Sequence, residues 1–334
     1  MDPDEANAPH LGWHIGEGKR GREVWYSLVT DTDAGLALWY RYTLLSTEGG
    51  HSEARLWAGL TGTERDFLGT RRYPLEEATF GEPFSLSFGE ARLSSSSAKG
   101  ALETDAGEVS WRFGYEPDDT VFTPLRSERL TDVAEQFGSG RHWSANQSVR
   151  MDGKFEVGDE TYDFEDAPGH QGHTVGRNAP DGWSWLQCNG FGDDPDACIE
   201  ALNVGGRTSL SLRHDGGTHA LNRLKDVAGP TANETTENRP GRWKIRAKDE
   251  GVKLHVRAEA GDEWRKAAYL TPDDTPRYVG HSSLASVRVT YRLRDGFGWS
   301  ERRTLESDSA RVEWGAKSPP VGEKGEYTPQ EFVR

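Results

Sequence analysis

Polar and apolar residues alternate with a period of two along most of the chain. Val287, Val289, Tyr291 and Leu293 alternate with Arg288, Thr290, Arg292 and Arg294. Val109, Trp111, Phe113 and Tyr115 alternate with Ser110, Arg112 and Gly114, and Leu36, Leu38, Tyr40 and Tyr42 form a third such face. This spacing puts one residue type on each side of an extended chain and predicts half-buried strands. Further short strands are predicted at 209–213, 243–247 and 252–258, bounded by Gly, Pro, Asp or Asn turns. Helical periodicity is nearly absent. The best helix is Leu130 to Phe137, with Thr131 as its N-cap.

Many short strands and 39 glycines predict an all-β protein of antiparallel sheets. A single small barrel does not need 334 residues, so two β units are expected. The weakly patterned, acidic stretch 148–168 suggests a division into residues 1–165 and 166–316. The charged, proline-containing segment 317–334 reads as a surface strap or a disordered tail. Ser94 to Gly100 reads as an exposed hairpin loop.

Composition narrows the partners. Fifty-five acidic residues face 40 basic ones, for a net charge of −15. That balance disfavours nucleic acid and anionic membrane surfaces, both of which attract a basic footprint. The basic residues are mostly arginine, and an acidic, lysine-poor chain suits a salt-adapted, halophilic cytoplasm. The aromatic complement of 12 Trp, 12 Phe and 10 Tyr offsets a hydrophobic fraction of only 34%. Cys188 and Cys198 are expected as free thiols. The opening MDPDEANAPH lacks a basic start and an apolar run, so no secretory signal is expected, and no apolar run is long enough for a membrane helix. The expectation is a cytoplasmic protein without stable membrane insertion.

Three stretches invite chemistry. Glu103 to Glu108 spells a carboxylate array, but Asp105-Ala106-Gly107 reads as a turn between two strands. His170 and His173 lack the further convergent ligands that zinc needs, so no metal and no cofactor are expected; an imidazole there fits proton transfer better. The strand Trp183 to Phe191 places Trp183, Trp185, Gln187 and Asn189 on one side and Ser184, Leu186 and Cys188 on the other. Two indoles and two amides on one face suit either a pocket wall or a buried polar lock between units.

Near the N-terminus, Glu23-x-Trp25-Tyr26 opens the first strong strand. Taken with His173, Gly176 and the series Trp183-x-Trp185-x-Gln187-x-Asn189-x-Phe191, it resembles the lipocalin-like superfamily of AttH proteins, carotenoid 1,2-hydratases (hydroxyneurosporene synthases) and tocopherol cyclases. The resemblance spans roughly residues 12 to 315. It implies two lipocalin-like antiparallel β-barrels packed side by side, with very little helix, around an apolar pocket. It also implies a small hydrophobic ligand and chemistry on isoprenoid-type molecules. One departure stands out. The family's aromatic after the mid-chain histidine is replaced by Val175.

The expected function is therefore a hydratase or cyclase, a hydro-lyase or isoprenoid cyclase, that protonates an alkene in an aromatic-lined pocket. Glu23 and His173 are the expected acids. Trp25, His170, Trp183, Trp185, Gln187 and Asn189 are expected to bind substrate. The indole faces would stabilise cationic character by about 1–2 kcal/mol when desolvated. The alternative is a non-catalytic carrier of a lipid, carotenoid or quinone-like ligand. A sugar-stacking β-protein would need these indoles on an open surface. The sequence leaves the oligomeric state open.

Overall fold

The computed structural model describes residues 1–13, 20–105, 107–136 and 140–333. They form two large antiparallel sheets, as the period-two pattern predicts. The first sheet comprises β1 (Gly21–Asp31), β2 (Leu36–Ser46), β3 (Ser52–Thr61), β4 (Phe67–Tyr73), β5 (Thr79–Gly81) and β6 (Ser85–Phe88). It continues through β7 (Ala91–Ser94), β8 (Ser97–Thr104), β9 (Gly107–Tyr115), β10 (Arg141–Val157) and β11 (Glu160–Gly176). Its strand order is 4-3-2-1-11-10-9-8-7-6-5.

The second sheet comprises β12 (Gly182–Cys188), β13 (Cys198–Val204), β14 (Arg207–His214), β15 (Gly217–Leu221), β16 (Glu234–Arg239) and β17 (Arg242–Lys248). It is completed by β18 (Val252–Glu259), β19 (Arg265–Leu270), β20 (Pro276–Asp295), β21 (Gly298–Trp299) and β22 (Arg303–Ala316). Its main path runs 15-14-13-12-22-20-18-17-16, with β19 and β21 also paired to β20.

Each sheet curls around its own apolar core. Trp25, Val29, Tyr40, Tyr42, Phe113 and Phe155 are among the residues that fill the first. Leu186, Ile199, Leu254, Val289 and Val312 are among those that fill the second. The alternation works in pairs of faces. On β1, Trp25 and Val29 point into the first core, while Tyr26 and Leu28 belong to a third cluster between the sheets. On β12, Leu186 and Cys188 point into the second core, while Trp183 and Trp185 join that intermediate cluster.

The sequence-based boundary and the sheet boundary differ in place. β11 runs through residues 165 and 166, and the chain crosses between sheets over 177–181. The acidic stretch that looked like a linker encodes two long strands joined at Gly158, whose φ of 58° suits a tight turn. The helix α2 spans Glu128–Gln136. Its first turn is held by Ser127, whose Oγ accepts from the Leu130 N–H at 3.4 Å, so the cap is Ser127 and Thr131 lies inside the helix. The predicted end at Phe137 lies outside the described residues. Glu103 pairs with Glu108 and Thr104 with Gly107, which makes the carboxylate array a hairpin end as expected. The 94–100 loop is shorter than expected: β8 takes up residues from 97 onward, and Ser95 at its tip is buried.

The segment after β22 is an ordered strap. Tyr327 is buried against Tyr278 of β20, and Thr328 exchanges backbone hydrogen bonds with Lys266 and Ala268. Glu331 reaches across to Arg55 of β3 in the first sheet.

Between the sheets lies a polar seam built on Arg311 of β22, which is fully buried. Its Nη1 donates to Gln187 Oε1 at 2.6 Å and Asn189 Oδ1 at 2.7 Å. Its Nη2 crosses to the first sheet, donating to Thr30 Oγ1 at 2.6 Å and the Pro168 carbonyl at 2.9 Å. The two amides then use their N–H groups on the same partner sheet: Gln187 on the Gln147 carbonyl at 3.1 Å and Asn189 on the Gly169 carbonyl at 2.8 Å. Burial lowers the Arg311 pKa to about 10, which still leaves it charged. The hydrogen bonds to this cation each contribute about 1.5–3 kcal/mol and offset its desolvation.

Replacing Arg311 with Met strands four buried acceptors. We expect Arg311→Met to lower the unfolding free energy in urea by about 3–5 kcal/mol. Arg311→Lys should recover only part, because an ammonium cannot fork between both sheets. An unchanged midpoint in Arg311→Met would contradict the seam's role.

Candidate functional site

A cavity of about 1220 Å³ lies where the two sheets face each other. This exceeds the span typical of small-molecule sites, about 300–1,000 Å³. Alternation explains its walls. From β1 come Arg22, Val24 and Tyr26, and from β2 Trp39 and Arg41. From the second sheet come Trp183 and Trp185 of β12, Leu202 of β13, Tyr269 of β19, His281 of β20 and Glu313 of β22. The β9–β10 connection, including Val121, Leu125 and Thr131 of α2, lines a further side. Asn222 ties that connection to the second sheet through the Thr123 carbonyl at 2.7 Å.

Two close approaches let the aromatic rings lie flat on the sheets. Tyr26 faces Gly172 across the ladder, and a Cβ there would meet the phenol ring at 2.3 Å. Trp183 faces Gly315 likewise, and a Cβ there would meet the indole at 2.2 Å.

The cavity wall carries a carboxylate–imidazole pair. Glu313 accepts from Trp183 Nε1 at 2.6 Å, and its other oxygen lies 3.6 Å from His281 Nδ1. His281 Nε2 meets Ser283 Oγ at 2.9 Å. Burial pushes the Glu313 carboxyl up, but the partnership with His281 and Trp183 prevails and holds it below the usual range. Tyr26 is the opposite case. Burial, reinforced by the charges of Glu200 and Glu313, holds its phenol protonated far above the usual range.

A second pair sits deeper. Glu200 accepts from Ser144 Oγ at 2.5 Å, Trp185 Nε1 at 3.0 Å and Gln147 Nε2 at 3.1 Å, with His142 Nε2 at 3.6 Å. Burial alone would raise its pKa; the hydrogen bonds and the neighbouring His142 and His170 bring it down to about 2. Since Ser144, Gln147 and His142 belong to β10 and Glu200 to β13, this carboxylate extends the seam between the sheets.

The residues singled out from sequence divide into four groups, the last of them His170 alone. Trp183 and Trp185 line the cavity. Gln187 and Asn189 belong to the Arg311 seam. Glu23, Trp25 and His173 point into the first barrel, away from the cavity. His173 is stacked between Trp25, with ring centroids 4.7 Å apart, and Trp143, at 5.0 Å. Its Nε2 lies 2.9 Å from Glu23 Oε1, and its Nδ1 lies 2.7 Å from the Ala6 carbonyl. Glu23 also accepts from the His10 N–H at 2.6 Å and from Trp13 Nε1 at 2.6 Å. These two residues therefore pin the N-terminal segment onto the sheet. Burial opposes the charge on Glu23, but His173 and these donors hold its pKa below the usual value. Val175 packs with Ala6 and Trp143; the indole flanking His173 from β10 is Trp143.

His170 is buried beneath Tyr26 and Trp185, with Nδ1 at 3.2 Å from the Gln147 carbonyl. Burial pushes its pKa down to about 4. The two histidines thus serve separate partners. Among the described residues, Asp194, His214 and Asp215 bring ligand-type atoms within 4.8 Å of one another; Asp215 is engaged by Arg303 at 2.8 Å, and none of the three lines the cavity.

Residues 144–302, from β10 to the end of the β20–β22 connection, match the tocopherol cyclase-like family. Kievitone hydratase of Nectria haematococca shares the fold, with a TM-score of 0.52 and 13% identity over 94% of this chain and 96% of that one. A candidate AttH of Nitrosomonas europaea shares it with a TM-score of 0.54 and 11% identity over 92% and 98%. Over residues 144–302 the chain is thus similar to the tocopherol cyclase-like family, and over most of its length it shares the fold of these two solved structures. No curated protein sequence matches it.

The superfamily motif is thus visible but its geometry is not. In Glu23-x-Trp25-Tyr26, only Tyr26 faces the cavity. Arg22, Arg41, His281, Glu200 and Glu313 escaped the sequence reading because each looks like an ordinary polar residue in an alternating strand. The matching parity of Trp183 and Trp185 was the one available signal for the wall.

His170 makes folding pH-dependent. Its folded pKa lies near 4, below the ordinary value of 6.5. Unfolded chains therefore take up a proton below pH 6.5 that the folded protein refuses, so this contribution is present above pH 6.5 and lost on acidification toward pH 4. We expect His170 to cost roughly 2 kcal/mol of stability between pH 7 and pH 5. Urea unfolding of His170→Gln at both pH values should show a correspondingly smaller loss; equal losses would contradict it.

Proposed function

We propose that this protein is a hydratase or cyclase that protonates an alkene of a hydrophobic, isoprenoid-type small molecule in the cavity between its sheets. The observation that carries this reading is the His281–Glu313 pair set in an aromatic wall of Trp39, Tyr26, Trp183 and Trp185. The similarity of residues 144–302 to the tocopherol cyclase-like family and the fold shared with a kievitone hydratase support the same class of chemistry.

In the proposed reaction His281, as imidazolium, is the acid. Glu313 lies 3.6 Å from its Nδ1, and the Trp183 indole fixes that carboxylate. The proton passes to the alkene carbon and leaves a carbocation. The ring faces of Trp39 and Trp183 attract the developing charge. Water, or a phenol oxygen of the substrate, forms the new C–O bond and returns a proton to the neutral imidazole. Tyr26, held protonated, donates a hydrogen bond to orient an oxygen of the substrate. Glu23 and His173 act in this scheme by positioning: they hold the N-terminal segment behind the wall rather than touch substrate. Gln187 and Asn189 keep the two walls in register.

The test is incubation with prenylated phenols and polyenes, followed by mass spectrometry for a gain of 18 Da or an isomeric product. His281→Asn and Glu313→Gln are expected to lower the rate by about 10²–10⁴-fold, while Glu23→Gln should act mainly on stability. A ligand that is bound and recovered unchanged with every substrate class would favour a carrier and overturn the catalytic reading.

A further inference from the structure

Two arginines at one end of the cavity have no carboxylate partner. Arg22 and Arg41 both line it. Arg22 Nη1 is shut off from solvent and has no hydrogen-bond partner. Arg41 is buried; it donates Nε to Thr43 Oγ1 at 3.0 Å, and its guanidinium lies 3.7 Å above the Tyr269 ring. Among the described residues, neither arginine has a carboxylate within 4.0 Å. Arg277, at the same end of the site, is committed to the carbonyls of Pro180 and Ala179. Glu313 is the acid that shares this end, and its oxygens already serve Trp183 and His281.

The cavity lining carries six carboxylates against five arginines, yet among the described residues none of those carboxylates pairs with Arg22 or Arg41. Two guanidiniums left without a carboxylate beside an aromatic wall need a reason. The electrostatics agree: burial first, then the like charge of Arg41, lowers the Arg22 pKa to about 9. An anion placed between the two would relieve both penalties. A guanidinium offers a flat fork of donors that matches a carboxylate or phosphate, which a point charge does not. The apolar part of such a ligand has a path at hand, since Trp39, Trp183, Trp185 and Leu202 line the same cavity.

We propose that the ligand of this cavity carries an oxyanion head that docks on Arg22 and Arg41, with its apolar body laid along Trp39, Trp183 and Trp185. This identifies a substrate class for the site and rests on the cavity being the ligand site, not on the protonation chemistry. A simple neutral hydrocarbon would leave Arg22 unpaired. An amphiphile with one acidic end would not.

The test is isothermal titration of the full chain with four twelve-carbon probes: dodecanoate, dodecyl phosphate, 1-dodecanol and dodecyltrimethylammonium. One or both oxyanions should bind at least tenfold more tightly than the alcohol, with the cation weakest. A stronger dodecanoate response assigns a planar head, and a stronger dodecyl phosphate response a tetrahedral one. Arg22→Met should bring the anions down to the level of the alcohol, and Arg22→Lys should keep part of the preference. Unchanged thermal unfolding of Arg22→Lys shows that any loss is not misfolding. Alcohol binding as tight as the anions, a preference that survives Arg22→Met, or no binding of any probe would overturn the proposal. Selective anion binding without turnover of any alkene would leave it standing while removing the hydratase or cyclase reading.

Discussion

The architecture depends on one buried cation. Each of the two curled sheets encloses an apolar core of its own. They meet through faces that carry polar as well as aromatic residues. Arg311 is the point at which these faces become a single structure, because one guanidinium gives two hydrogen bonds to its own sheet and two to the other. An aliphatic contact could slide; four directed bonds to a charge cannot without leaving buried acceptors unpaired. Glu200 does the reverse, an anion from the second sheet received by donors of the first. A cation and an anion pointing toward the same neighbour fix both the spacing and the register of the walls.

That spacing creates the cavity. Beyond the seam the sheets diverge, and the same strands that supply the lock supply the walls: β1 gives Thr30 to the seam and Tyr26 to the cavity, β12 gives Gln187 and Trp185, β22 gives Arg311 and Glu313. Because side chains on one face recur every second residue, a shift of one position in any of these strands would exchange lock and wall for core. The glycines opposite Tyr26 and Trp183 have the same logic. They provide the depth that lets a large ring lie on the ladder without pushing the sheets apart.

The sequence made the strands legible because burial on one side writes itself as alternation. The face of Trp183, Trp185 and Gln187 was read correctly as one side of one strand, but that strand ends at Cys188, before Asn189. What alternation cannot carry is the identity of the partner facing it. Glu23 and His173 have the composition of an acid site, and only the pairing of β1 with β11 and the return of residues 6–13 reveal that they look inward. The partner of Gln187 lies 124 residues away and that of Thr30 lies 281 away. No local pattern reports such contacts. Arg22 and Arg41 were equally silent, since an arginine on an alternating strand ordinarily faces water. The acidic stretch at 148–168 misled for the related reason that a strand edge facing solvent has the composition of a linker.

The contrast between Arg311 and Arg22 gives the cavity its meaning. Both are guanidiniums of the inter-sheet layer, Arg311 fully buried and Arg22 partly so, and neither has a carboxylate partner among the described residues. Four oxygens that the fold supplies receive both Nη groups of Arg311 and leave only its Nε without a partner, so its charge serves the structure. Arg22 has an Nη1 with no oxygen to receive it. A fold able to place four acceptors around one arginine had the means to satisfy the other. Leaving Arg22 without an acceptor from the fold beside an aromatic wall lowers stability while keeping a guanidinium at the cavity, where its surroundings are less polar than water and its attraction for an anion is stronger. That is the cost of a binding site rather than of a core, and it is carried on the same strand, by the same parity, as Thr30, which receives Arg311 from the other sheet.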